Sequence, residues 1–155
     1  MFDTVLIPVD FSQDIEKLNN ILTKLDAKKI LILNVIDKLE VSLYNELFSA
    51  MTSAPETSNT PTEENFKELP LYKKHTEKLD QYKLSLLKKG YSVETYIRYG
   101  VPYKKIVEFS EEMKVDLIII PAVGKRLSLL KEVMMMGGTA TRVLRLSKIP
   151  LLIIR

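Results

Sequence analysis

The segment from Leu117 to Ile154 constrains the fold more than any other part of the chain. An apolar run, Leu117 to Ile120, stops at Pro121, and Gly124 follows just beyond it. Gly137-Gly138 then open a stretch in which Ala140, Val143 and Leu144 recur at helical spacing. Pro150 ends that helix, and Leu151 to Ile154 form a second apolar run. Strand, glycine turn, long loop, helix and strand make one crossover unit, because parallel neighbours need a connection long enough to cross the sheet. Glycines at both loop ends let backbone N–H groups approach a ligand closely, and a helix N-terminus favours an anion. Two readings stay open here: a ligand cradle, or glycines that only make turns.

Charge follows the same segment. From Ala122 onward, Lys125, Arg126, Lys131, Arg142, Arg145, Lys148 and Arg155 face a single acid, Glu132, in a chain whose net charge is +3. A bound phosphate chain, an acidic partner surface and a solvated basic face all fit that asymmetry.

The earlier part of the chain alternates in the same way. Thr4 to Ile7 reads as a buried strand ending at Pro8-Val9-Asp10. Ser12 is placed as the N-cap of a helix that carries Ile15, Leu18, Ile21, Leu22 and Leu25 at helical spacing. Lys29 to Val35 is a second strand, ending at Ile36-Asp37, so the first two strands form a right-handed βαβ unit. Residues 38–64 are the least regular. Leu43, Tyr44, Leu47, Phe48 and Met51 predict a short amphipathic helix, and Ser53 to Glu64, without a large apolar residue, reads as a mobile loop. Beyond Pro70, the positions Tyr72, His75, Leu79, Tyr82 and Leu86 give a helix with one apolar stripe, ended by Lys88-Lys89-Gly90. His75, the only histidine, is read as packed or interfacial rather than catalytic. Ser92 to Arg98 is a third strand, with Val93, Thr95 and Ile97 on one face and Glu94, Tyr96 and Arg98 on the other. Pro102 opens a helix that turns Ile106, Phe109 and Met113 inward, and Leu117 starts the fourth strand.

Buried strands alternating with helices predict a single α/β domain over residues 1–155, with a mobile insertion at about 38–64. Its sheet is open and mainly parallel, with helices on both faces. Such sheets bind ligands beyond the carboxyl ends of their strands, where strand order reverses. Asp10, Val35-Ile36 and the stretch Pro121 to Gly124 sit at those ends. The absence of cysteine removes disulfides, thiol nucleophiles and cysteine metal sites. No apolar run approaches the ~18 residues of a membrane span, and no signal peptide is visible, so a cytoplasmic location is the default expectation. A P-loop centred on Gly124-Lys125 fails, since it wants glycine and Ser or Thr where Ile119 and Arg126 stand. Zinc chemistry lacks ligands, and acyl transfer lacks a histidine near any serine.

The pieces LIPVDFS (Leu6 to Ser12), LILNVID (Leu31 to Asp37), GVP (Gly100 to Pro102), DLIII (Asp116 to Ile120) and GGTATRVLRLSKIPLLIIR (Gly137 to Arg155), in that order, resemble the universal stress protein family nearly end to end. The resemblance implies a five-stranded parallel sheet of order 3-2-1-4-5. It also implies a dimer, and the apolar edge strand Leu151 to Ile154, which would pair promiscuously if left open, is expected to pair with its twin in a homodimer, with room for a further protein partner. Many members bind ATP through G-x2-G-x9-G-[S/T], from which this chain departs. Pro121 replaces the first glycine, twelve residues (Lys125 to Met136) separate Gly124 from Gly137, and Gly138 stands where a hydroxyl residue belongs. Read one step later, Gly138-Thr139 keeps the hydroxyl. Proline removes a donor, and the longer loop remodels the phosphate side. Asp10, at the family's nucleoside-contacting position, is present, as are Pro8 and Val35 at its adenine contacts. The candidate nucleotide site is thus Pro8, Val9, Asp10 and Val35, with Pro121, Gly124, Lys125, Arg126, Gly137, Gly138 and Thr139 on the phosphate side. ATP or AMP is the implied ligand, with Mg or Mn only beside a triphosphate. No catalytic residue or resident metal site is expected, and chemistry stops at slow hydrolysis. The alternative is a family member without nucleotide binding that acts as a dimeric protein-interaction module. Nucleic-acid binding is disfavoured, because the basic half lacks interleaved aromatic residues and a recognition motif, and a pI near 8.9 is a weak argument by itself.

Overall fold

The computed structural model describes residues 2–52, 61–122 and 138–155. Among them run five strands: β1 (Phe2–Pro8), β2 (Ala27–Asp37), β3 (Ser92–Gly100), β4 (Leu117–Pro121) and β5 (Leu151–Ile154). They alternate with helices α1 (Ile15–Leu25), α2 (Lys38–Thr52), α3 (Pro70–Lys88), α4 (Pro102–Glu112) and α5 (Gly138–Leu146). The strands form one parallel sheet in the order β3-β2-β1-β4-β5, as the resemblance implied. No described helix is long and apolar enough to cross a membrane.

The continuous apolar runs are explained by burial on both faces. Successive strand residues point to opposite sides of a sheet, so a strand covered on both sides must be apolar at every position. Val5, Ile7, Ile30, Ile32, Leu117 and Ile119 pack on one side, against Leu18 and Leu22 of α1 and Leu79 and Leu86 of α3. Leu6, Leu31, Leu33, Ile118 and Ile120 pack on the other, against Ile106 and Phe109 of α4 and Ala140 and Val143 of α5. Each of these Val, Leu, Ile and Phe side chains contributes roughly 1.5–3 kcal/mol by leaving water. A third cluster, Ile36, Val41, Phe66, Leu71 and Tyr99, anchors α2 and a short 3-10 turn (Phe66–Glu68) beside α3 and the carboxyl ends of β2 and β3.

Three expectations change. β2 ends at Asp37 as expected but starts at Ala27, and β3 runs past Arg98 to Gly100, because the backbone ladders extend to the pairs Phe2–Ala27 and Asp37–Gly100. Ser12 is not the cap of α1. Its N–H donates to Asp10 Oδ1 at 3.0 Å, and its hydroxyl donates to the same oxygen. Asp14 caps instead, its Oδ1 accepting from the N–H groups of Glu16 (2.9 Å) and Lys17 (3.4 Å). The displacement goes with Phe11, which takes a left-handed turn with φ 66° and delays the helix. Finally, α2 forms where expected, but Leu43, Leu47, Phe48 and Met51 lie on its exposed side while Val41 is buried. Of the loop expected at 53–64, residues 53–60 lie outside the described residues.

Candidate functional site

Strand order reverses between β1 and β4, and the first candidate residues gather there. Pro8 lies opposite Leu33 in the β1–β2 register, and Val9 continues the ladder with an N–H donated to Leu33 O at 2.8 Å. Carried onward, that register sets Asp10 level with Val35. On the other side, Leu6 lies opposite Ile118, which sets Val9 and Asp10 level with Pro121 and Ala122 at the end of β4. Ala122 itself donates its N–H to Ile154 O at 2.7 Å, so β5 braces this end. Pro8 and Val9 are buried, whereas Asp10, Val35 and Pro121 are half-buried. Gly138 and Thr139, the first residues of α5, are exposed. Gly124, Lys125, Arg126 and Gly137 lie outside the described residues.

The loop that carries Asp10 is tied down at several points. The Asp10 carboxylate closes a tight turn through Ser12. Gln13 spans the turn, its Nε2 donating to Pro8 O at 3.0 Å while its Oε1 accepts from Asp10 N at 3.3 Å. The Tyr82 hydroxyl, from α3, donates to Gln13 O at 2.8 Å. Burial raises the Tyr82 hydroxyl above the usual phenol range, and the negative charges of Asp10 and Asp14 push it further the same way. The Phe11 ring stands edge-on to His75 (5.3 Å between centroids) and to Tyr82 (5.8 Å), with the Lys78 ammonium 5.3 Å over its face.

Sequence reasoning passed over the polar group beneath this loop. Asn34, buried within the apolar run of β2, donates from Nδ2 to Val9 O at 2.9 Å. Its Oδ1 lies 2.7 Å from His75 Nδ1, and His75 Nε2 lies 2.9 Å from Glu40 Oε1 on α2. One asparagine inside the run LILNV was the available signal, since a buried polar group needs partners.

A cavity of about 580 Å³ opens elsewhere, along the edge strand β3, where Phe66, Tyr96, Arg98, Lys105 and Glu108 are among the lining residues. It stands two strands from Asp10 and is separate from the strand-reversal point. Among the described residues, no group of three or more His, Asp or Glu side chains is placed to hold a metal ion.

Known proteins share this architecture. Universal stress protein MJ0577 of Methanocaldococcus jannaschii is 29% identical over 159 aligned residues, covering 100% of this chain and 96% of that protein. Its solved structure matches with a TM-score of 0.73 at 26% identity, over 99% of this chain and 96% of that one. The solved structure of hypothetical protein PH0823 matches at 32% identity with a TM-score of 0.64, over 99% and 96% of the two chains. A universal stress protein from Archaeoglobus fulgidus in complex with dAMP shares the fold at 17% identity and a TM-score of 0.54, over 99% and 98%. The model of the Universal stress protein family matches residues 1–155, and with the sheet order in agreement, the chain belongs to that family.

Proposed function

We propose that this chain is a regulatory module that binds an adenine nucleotide, ATP or AMP, at the carboxyl ends of β1, β2 and β4. The observation that carries this reading is the placement of Asp10. It stands one step beyond Val9, level with Val35 on one side and with Pro121-Ala122 on the other, where strand order reverses. A half-buried carboxylate there suits a ribose hydroxyl, which would donate to it, and the half-buried Val35 suits an apolar base face. Solved proteins that share the fold hold cAMP, dAMP and, in one from Arabidopsis thaliana, AMP, which supports the ligand class. The nucleoside side carries more of the affinity than the phosphate side in this reading, because Pro121 brings no backbone donor. Lys125, Arg126 and Lys131 supply side-chain charge in place of the missing donor. Mg or Mn would enter only with a triphosphate.

Titration calorimetry with adenosine, AMP and ATP tests the reading. Asp10→Ala removes a charge-assisted hydrogen bond, so affinity for all three ligands should fall roughly ten- to a hundredfold. Removing the three cations together should weaken ATP more than adenosine, by a margin that shrinks as salt rises. A second reading, a dimeric protein-interaction module without nucleotide, is favoured by the exposed Leu43, Leu47, Phe48 and Met51 on α2. Folded wild-type protein that binds none of the three ligands would select it.

A further inference from the structure

Asn34 sits directly beneath the candidate nucleoside loop, and its orientation is dictated by chemistry. The Val9 carbonyl can only accept, so the atom 2.9 Å from it must be the amide nitrogen. The amide oxygen therefore faces His75 Nδ1 at 2.7 Å, and that ring nitrogen must carry hydrogen. The other ring nitrogen then faces a carboxylate oxygen of Glu40 at 2.9 Å. Two lone pairs cannot hold that separation, so one proton sits between Nε2 and Oε1, and the histidine–glutamate pair is neutral as a unit. The ring is buried, at 5% exposure, and lies edge-on against Phe11, whose backbone is held in the left-handed region.

We propose that Glu40, His75 and Asn34 form a proton-sensitive strut that positions the Val9–Phe11 loop and so sets the affinity of the nucleoside site. The proposal rests on reading that loop as the site, as above. When the shared proton goes to solvent, one hydrogen remains for the two ring nitrogens, and the ionised Glu40, beside Nε2, is the stronger acceptor. The neutral ring therefore carries its remaining hydrogen on Nε2, toward Glu40. That placement would remove the Nδ1–H bond to Asn34, and Asn34 would lose the partner that orients its amide toward Val9 O. His75 thus acts as a positioning residue, through Asn34 and Phe11.

The other charged or titratable groups around the ring do not compete in the same pH range. Lys78 of α3 reaches the cluster through the Phe11 ring. Tyr82, also on α3, touches Phe11, and burial holds its hydroxyl above the usual phenol range. Asp10 of the loop is near enough for its charge to be felt at Tyr82. On β2, Asn34 is uncharged. The chain contains one histidine and no cysteine, so apart from the α-amino group no other side chain ordinarily changes charge between pH 6 and 9.

That economy makes the test clean. With 15N-labelled imidazole, the sole histidine reports its own protonation. Both nitrogens should carry hydrogen at the acid end of a pH 6 to 9 titration of ligand-free protein. The amide resonances of Val9, Asp10 and Phe11 should shift in step with the ring, and these shifts should vanish in His75→Gln. Glu40→Gln, at a partly exposed position, guards against a variant that fails to fold and should abolish the same coupled step. A neutral ring with hydrogen only on Nε2 at pH 6, or loop amides that ignore the ring, would overturn the strut whether or not nucleotide binds. Adenosine, with no group that titrates in this range, is the ligand probe. Wild-type affinity should fall roughly threefold to tenfold from pH 6 to 9 and stay flat in both variants. Adenosine binding that is unchanged with pH would also overturn the proposal. Loop amides that follow the ring in a protein that binds no adenosine would uphold the strut as a positioning device and refute only the nucleoside reading.

Discussion

Tyr82 shows how one side chain can belong to both the core and the site. Its ring packs in the sheet-facing cluster beneath α1 and α3, while its hydroxyl donates to Gln13 O at 2.8 Å in the loop after β1. Tyr82→Phe keeps the ring and removes that bond, so it should cost about 1 kcal/mol in a urea titration. The hydroxyl also titrates differently in the two states. Its folded pKa is raised by burial and by Asp10 and Asp14, so the folded state favours the neutral phenol. The associated stability is complete below the unfolded value, about pH 10, and is lost as pH climbs toward the folded one. Denaturation midpoints should therefore drop above about pH 10, and less steeply in Tyr82→Phe than in wild type.

Among the elements, α2 is the one whose pattern and packing disagree. Its apolar residues are numerous enough to predict a helix, yet its apolar contacts with the rest of the domain run through Val41 and half-buried Tyr44, against Ile36, Phe66, Leu71 and Tyr99. Asp37 Oδ1 accepts from Leu39 N at 3.0 Å and helps start the helix where β2 ends. Val41→Ala should cost about 1.5–2.5 kcal/mol by urea denaturation, because two buried carbons are lost and a cavity remains. Met51→Ser, at a residue 85% exposed, should stay within about 0.5 kcal/mol. Equal costs at the two positions would mean that the exposed face is covered in solution.

At the scale of the whole molecule, the sheet of described residues has two edges, β3 and β5. Beside β3 stand Lys105 and Phe66, whereas β5 is four apolar residues, Leu151–Ile154, which among the described residues pair with β4 alone. An apolar edge strand pairs promiscuously unless something covers it, and a second copy of the same strand satisfies the ladder symmetrically. We therefore expect a homodimer through β5. Light scattering at micromolar concentration should give twice the 17.8 kDa chain mass, and a monomer there would refute the pairing.

The strands and most helices were legible from sequence because their signals are local. Val5 to Ile7 and Leu117 to Ile120 are apolar at every position since both sheet faces are buried, and Pro70 and Pro102 mark helix starts by lacking an N–H that a first turn does not use. Asp10 was legible as a strand-end residue, and the family resemblance gave the strand order. What the sequence could not reveal was every feature set by contacts distant in the chain. The left-handed Phe11 moved the helix cap from Ser12 to Asp14, because a ring wedged between His75 and Tyr82 outweighs a local capping preference. The link from Glu40 through His75 and Asn34 to Val9 joins four segments, and no periodicity within any one of them encodes it. Tertiary packing alone decided that the histidine, which looked like one more residue on an apolar stripe, lies under the loop that carries Asp10.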